Sequence, residues 1–88
     1  MTTVDSWPVE ISLHEVDGTT RAEARLARHG VGIIGHGLAH RNPGDREVMQ
    51  IGEEIAAARA LSDLAHQLLS TAAGQIEGIT HQRAHLSL

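Results

Sequence analysis

Hydrophobic and polar residues alternate without a break over residues 7–13, with Trp7, Val9, Ile11 and Leu13 on one side and Pro8, Glu10, Ser12 and then His14 on the other. A period of two over that length predicts a strand buried on one face. Pro8 has no backbone donor, which suits the first residues of a strand or a sheet edge. Asp17-Gly18 follows, a dipeptide that readily takes the positive φ of a tight hairpin. Alternation resumes over residues 20–28, setting Ala22, Ala24 and Leu26 against Arg21, Glu23 and Arg25. The Ala, Arg and Glu content of this run also suits a helix, but the preceding turn and the period of two select a strand. After His29-Gly30, residues 31–39 are apolar and glycine-rich, and Asn42-Pro43-Gly44 stops them. They predict a third strand, bulged or closely approached at Gly35 and Gly37.

Residues 48–73 contain no Pro and are rich in Ala, Leu, Glu and Gln. One helix is expected there, starting near residues 48–50 and ending at Gly74. Its apolar residues, Ile51, Ile55, Leu61, Leu64, Leu68 and Leu69 with the alanines between them, cover an arc of about 180° at 100° per residue. That exceeds the stripe of roughly 100° shown by an ordinary surface helix. The opposite arc holds Glu53, Arg59, Asp63, His66, Gln67 and Ser70, with Arg59 and Asp63 one turn apart as a modest ion pair. Some 24 helical residues span about 36 Å, against about 23 Å for a seven-residue strand. The helix therefore overhangs its own sheet, and a second protomer is expected to cover the leucines, with Leu61, Leu64 and Leu68 in the dimer interface. Ile76 and Ile79 predict a short second helical turn, and residues 81–88 form a flexible tail. The expected fold class is α+β: a three-stranded antiparallel sheet, one long helix and a short C-terminal helical turn, in an intertwined homodimer. Residues 1–88 form a single domain with an ordered core over residues 7–82 and a flexible N-terminus.

Composition sharpens this picture. A domain of 88 residues buries only roughly 60 to 65% of its unfolded surface. Its hydrophobic 41% is mostly Ala, Leu, Ile and Val, with Trp7 the one aromatic and no Phe or Tyr. Such a core is thin, and a partner chain would thicken it. Cysteine is absent, which excludes disulfides and thiolate metal sites and fits a cytoplasmic location. Residues 1–5 have no basic n-region, and no apolar run approaches the ~18 residues that span a bilayer, so an unexported protein without a membrane partner is expected. The net charge of −4 argues against indiscriminate binding to nucleic acid. It is segregated, however: −4 over residues 1–17, +3 over residues 18–46 and −3 over residues 47–88.

That basic middle supplies Arg21, Arg25, Arg28, Arg41 and Arg46, a candidate phosphate-binding face on the exposed side of the hairpin. The competing account is a solvated sheet face, with Arg21, Glu23 and Arg25 paired across to Glu10 and His14; no interleaved aromatic offers base stacking. Gly30, Gly32 and Gly35 match the letters of a dinucleotide fingerprint, but the run continues into a strand rather than opening a helix. His36 and His40 lie four apart on a strand, roughly 13 Å, too far to share an ion. His81 and His85 would be adjacent only on a helix that the tail does not sustain. Glu53 and Glu54 are expected to begin the helix and complement its dipole. No catalytic, cofactor-binding or metal-binding residue is expected, and the chain reads as a non-enzyme.

Four stretches together resemble one family: residues 20–26 (TRAEARL), residues 35–39 (GHGLA) leading into residues 42–45 (NPGD), residues 51–55 (IGEEI) with residues 58–64 (ARALSDL), and Ile76-Glu77 with Thr80-His81-Gln82. They are similar to a short actinobacterial domain of unknown function that includes mycobacterial proteins of the dormancy, or hypoxia-response, regulon. The resemblance implies an intimate homodimer of βββα chains, likened in fold to ribosome hibernation promoting factors. It therefore implies a stress-associated protein with the ribosome or ribosomal RNA as partner; a regulatory dimer that binds protein through its helix surface is the alternative. Two departures bear on this: Glu23 stands where the family usually has lysine, which weakens the basic face, and His36 where it usually has a branched apolar residue.

Overall fold

Two tight turns fold the first forty residues into a meander. Asp17 (φ 51°) and Gly18 (φ 78°) form one, His29 (φ 50°) and Gly30 (φ 77°) the other, and left-handed backbone at both central positions matches the right-handed twist of the flanking strands. In this computed structural model, which describes residue 2, residues 4–41 and residues 49–88, the strands are β1 (Val9–Val16), β2 (Thr19–Arg28) and β3 (Val31–His40). They form one antiparallel sheet in the order β1-β2-β3. The register runs unbroken from Val9 opposite Leu26 to Val16 opposite Thr19, and from Thr19 opposite His40 to Arg28 opposite Val31, so β3 carries no bulge. The chain is thus α+β, three antiparallel strands followed by one helix. The expected stop at Asn42-Pro43-Gly44 lies outside the described residues.

The helix α1 (Met49–Thr80) is 32 residues long, about 48 Å, and corrects two expectations. It runs straight through Gly74 and absorbs the predicted separate turn at Ile76 and Ile79, because one glycine costs only about 1 kcal/mol and good helix formers flank it. It ends instead where His81 turns left-handed (φ 58°) and donates its N–H to Glu77 O at 2.8 Å. Thr80 Oγ1 donates to Ile76 O at 3.0 Å and accepts from Gln82 N at 3.3 Å. His81 and His85 consequently do not share a helix. The first turn holds no acid; Glu53 and Glu54 fall in the second, where Gln50 Nε2 donates to Glu54 Oε1 at 3.2 Å.

Period-two patterning puts Ala22, Ala24 and Leu26 of β2 under the helix, where they meet Ala39, Ala56, Ala60 and Leu64. Five of these seven buried hydrophobic residues are alanine, so the layers sit very close together. The approach is closest at β3: a Cβ on Gly35 would collide with Ala60 O and with Leu64 N, and a Cβ on Gly37 with Ala56 O and Ala60 N. Both glycines are needed because the helix backbone occupies the space of a side chain.

Part of the polar stripe of α1 meets the outer edge of β3. Arg59 Nη1 donates to Leu38 O at 2.6 Å, Asp63 Oδ2 accepts from His36 N at 2.7 Å, and Gln67 Nε2 donates to Ile34 O at 2.7 Å. Three helix side chains spaced one turn apart thus satisfy alternate backbone groups of an edge strand, a position otherwise open to aggregation. Among the described residues the recorded salt bridge is Arg25 with Glu23; the expected Arg59–Asp63 ion pair is replaced by these two bonds to β3, with Gln67 bridging to Asp63 at 3.3 Å.

Among the described residues no such cover exists at the other edge. The helix lies over β3 and β2, leaving the inward residues of β1 in part uncovered: Val9 is 42% exposed, Ile11 and Leu13 37% each. The Cα radius of gyration is 16.7 Å, against about 12 Å for a compact domain of this length.

Gly35→Ala should cost about 3 kcal/mol or abolish folding, because the colliding atoms are backbone that cannot rotate away. Gly74→Ala, with no atom within 4 Å of its new methyl, should gain about 1 kcal/mol; urea midpoints compare the two. Asp63→Ala should cost about 1–2 kcal/mol through loss of a charge-assisted bond, and hydrogen exchange at the His36 amide should accelerate relative to wild type.

Candidate functional site

The side of the sheet away from the helix carries the polar half of each strand. Across it run four rows, His14–Arg21–Leu38, Ser12–Glu23–His36, Glu10–Arg25–Ile34 and Val16–Thr19–His40. Arg21 and Arg25 therefore do share an exposed face, as the alternation predicts. Arg25 Nη2 lies 3.2 Å from Glu23 Oε2, both side chains being well exposed, so their pairing contributes little to stability. Glu10 stands opposite Arg25, and His14 opposite Arg21.

Arg28 and Arg41 do not join that face. Arg28 has the parity of Ala22, Ala24 and Leu26 and so lies on the helix side, with its guanidinium 4.1 Å from the centre of the Trp7 ring, a cation–π stack. The parity that assigns Ala22 inward already assigns Arg28 inward, so this correction was available in the sequence. Arg41 sits at the end of the sheet, its N–H donating to Gly18 O at 2.8 Å and its side chain beside Gly18. Arg46 lies outside the described residues. Among the described residues two of the five arginines, Arg21 and Arg25, share the outer face.

What the outer face offers in their place is histidine. His14, Thr19, Arg21 and His40 line a shallow hollow of about 320 Å³, closed on its apolar side by Val16 and Leu38. Thr19 Oγ1 and His40 Nδ1 share a hydrogen bond of 3.1 Å. Among the described residues Arg21 has no carboxylate partner; it is exposed and lines the hollow together with two imidazoles and a hydroxyl. In the sequence His36 and His40 read as candidate metal ligands and His14 as a cross-strand partner of the arginines, which hides this grouping, although His14, Arg21 and His40 all carry outer-face parity. Among the described residues no three His, Cys, Asp or Glu side chains are placed to hold a metal ion. The glycine fingerprint residues lie in the second turn and β3, with no helix opening at the third glycine.

The expected dimer-interface leucines also divide. Leu64 is only 4% exposed and belongs to the chain's own core, whereas Leu68 is half-buried against that core and Leu61 is 42% exposed. Leu68 and Leu69 line an open, mostly apolar groove of about 550 Å³ with Trp7, Leu26, Ile33 and Arg28. No helix among the described residues is long and apolar enough to cross a membrane.

Comparison with known proteins places this architecture. An uncharacterized protein of Mycobacterium tuberculosis (strain CDC 1551 / Oshkosh), MT1780, is 49% identical over 80 residues, covering 91% of this chain and 85% of its own length. The uncharacterized protein Rv2632c of M. tuberculosis (strain ATCC 25618 / H37Rv) is 49% identical over 74 residues, covering 84% of this chain and 80% of its own. The crystal structure of Rv2632c superposes with a TM-score of 0.85 at 44% sequence identity, covering 92% of this chain and 96% of that one. The family model described as Rv2632c-like matches residues 5–85, and with this fold and these relatives the chain belongs to the Rv2632c-like family.

Proposed function

We propose that the protein is a non-enzymatic, dimeric binding protein whose outer sheet face accepts the phosphates of a structured RNA, ribosomal RNA being the partner. The hollow around Arg21 carries this reading. An unpaired guanidinium presents a planar fork of donors suited to phosphate oxygens. His14, His40 and Thr19 surround it with further groups able to donate a hydrogen bond to an anion. Backbone contacts of this kind need no stacking aromatics, in keeping with recognition of an RNA helix by its shape and phosphates.

The dimeric state is supported by the uncovered inner residues of β1 and the elongated shape. The association with stress, dormancy and ribosome hibernation rests on the sequence resemblance, and so does the cytoplasmic setting in which it would operate. The alternative, a regulatory dimer that grips a protein through Arg59, Asp63 and Gln67, is disfavoured because those side chains are already committed to β3.

Co-sedimentation with ribosomes tests the proposal. Wild-type protein should pellet with ribosomes at low salt and be released as salt rises. Arg21→Glu with Arg25→Glu should abolish pelleting while leaving thermal stability nearly unchanged, since exposed sheet positions contribute little. Arg28→Glu, on the opposite face, should pellet like wild type. Failure of the wild type to pellet at any salt, or equal loss in the Arg28→Glu variant, would overturn the outer-face assignment.

A further inference from the structure

The two edges of this sheet are treated unequally. At β3, Ile34, His36 and Leu38 direct their backbone groups outward, where Arg59, Asp63 and Gln67 meet them. Because N–H and C=O of one residue point the same way in an antiparallel ladder, the odd residues of β3 bond to β2. Following the register across, the even residues of β2 bond to β3, its odd residues to β1, and the even residues of β1 to β2. Val9, Ile11, Leu13 and Glu15 are left with backbone donors and acceptors directed out of the sheet at its open edge. These residues also carry the uncovered inner side chains of β1.

We propose that this edge pairs antiparallel with β1 of a second copy, centred on Ser12, to make a continuous six-stranded sheet. The proposal rests on the dimeric reading above and adds how the copies meet. Only a register that sets odd residues against odd keeps both apolar faces on the same side. Three such registers are central enough to overlap well. Centring on Ile11 pairs only residues 9–13, and centring on Leu13 twice sets Glu15 against the partner's Ile11. Centring on Ser12 pairs residues 9–15. On the inner face it sets Ile11 against the partner's Leu13 twice, where the Leu13-centred register keeps one apolar pair, and sets Val9 against the partner's Glu15 only at the two ends; on the outer face it sets Glu10 against the partner's His14 twice. At its centre the strand is complementary to itself in apolar contact and in hydrogen-bonding groups, which selects a second copy of this chain over an unrelated strand. Both helices then lie on one face of the sheet, flanking a shared strip made by Val9, Ile11 and Leu13 of each copy. On the other face the two Arg21 hollows become part of one surface, with the two β2 strands about 14 Å apart, three strand spacings, so the pair doubles the anion-binding face.

The absence of cysteine makes the test free of background. In the proposed register Ser12 faces the partner's Ser12 as a non-hydrogen-bonded pair, with Cα atoms about 4.5 Å apart, inside the range a disulfide spans. Under mild oxidation Ser12→Cys should run almost entirely as a covalent dimer on a non-reducing gel, whereas Leu61→Cys should remain mostly monomeric there. Leu13→Pro removes an outward N–H without touching the β2 ladder and should shift the native mass measured by light scattering from two chains to one, with its circular dichroism retained. A wild type of two chains that cross-links through Leu61→Cys and not through Ser12→Cys would overturn the β1 pairing while leaving the dimer and the RNA reading intact. A wild type of one chain at all concentrations would overturn the dimer itself and the pairing with it.

Discussion

The helix and β3 touch backbone to backbone, and most of this molecule follows from that contact. With no side chain at Gly35 or Gly37, the carbonyls and amides of Ala56, Ala60 and Leu64 come down almost onto the strand. At that separation alanines fill most of the space between helix and sheet, with Leu26 and Leu64 the larger exceptions, so the core offers limited apolar area. The same closeness brings Arg59, Asp63 and Gln67 within direct hydrogen-bonding distance of the β3 edge. A larger residue at either glycine would lift the helix, widen the core and break the bonds along that edge together.

Close seating over β3 also determines what is left uncovered. A single helix about 10 Å across cannot cover three strands spaced about 4.8 Å apart when it is drawn to one side. The strand farthest from it, β1, has its inner residues exposed for this geometric reason, although they are as apolar as those of β2. The polar hollow thus lies on the outer surface, and the apolar strip on the inner surface beside the open edge.

Much of this was legible in the sequence because strand parity is unforgiving. Alternation located the three strands to within a few residues and sorted Ala22, Ala24 and Leu26 from Arg21, Glu23 and Arg25. The glycines of residues 31–39 signalled a close approach, and a length mismatch between helix and sheet was evident from the count of residues alone. Other features could not be read in this way. A polar stripe on a helix looks the same whether it meets water or a strand edge, so the role of Arg59, Asp63 and Gln67 was invisible without the tertiary arrangement. Gly74 reads as a stop signal, yet a helix already seated along most of its length continues through it. Arginines clustered in sequence need not cluster in space: Arg28 lies on the Trp7 side of the sheet because its position in the strand is even.

The bonds from α1 to β3 also carry a limit on their own number. Four residues of helix advance about 6.0 Å, while two residues of antiparallel strand advance about 6.8 Å, so the two repeats behave as a vernier that drifts by nearly 1 Å per rung. Four residues also turn the helix through about 40° more than a full circle, swinging each successive side chain farther from the edge and under the helix. After Arg59, Asp63 and Gln67, the next residue in the series is Thr71, and its hydroxyl bonds back to Gln67 O at 3.0 Å instead of reaching β3. A straight helix can imitate a neighbouring strand for about three rungs, so a fold that protects an edge in this way is confined to short exposed stretches; a longer β3 would need a curved helix or a real strand beside it.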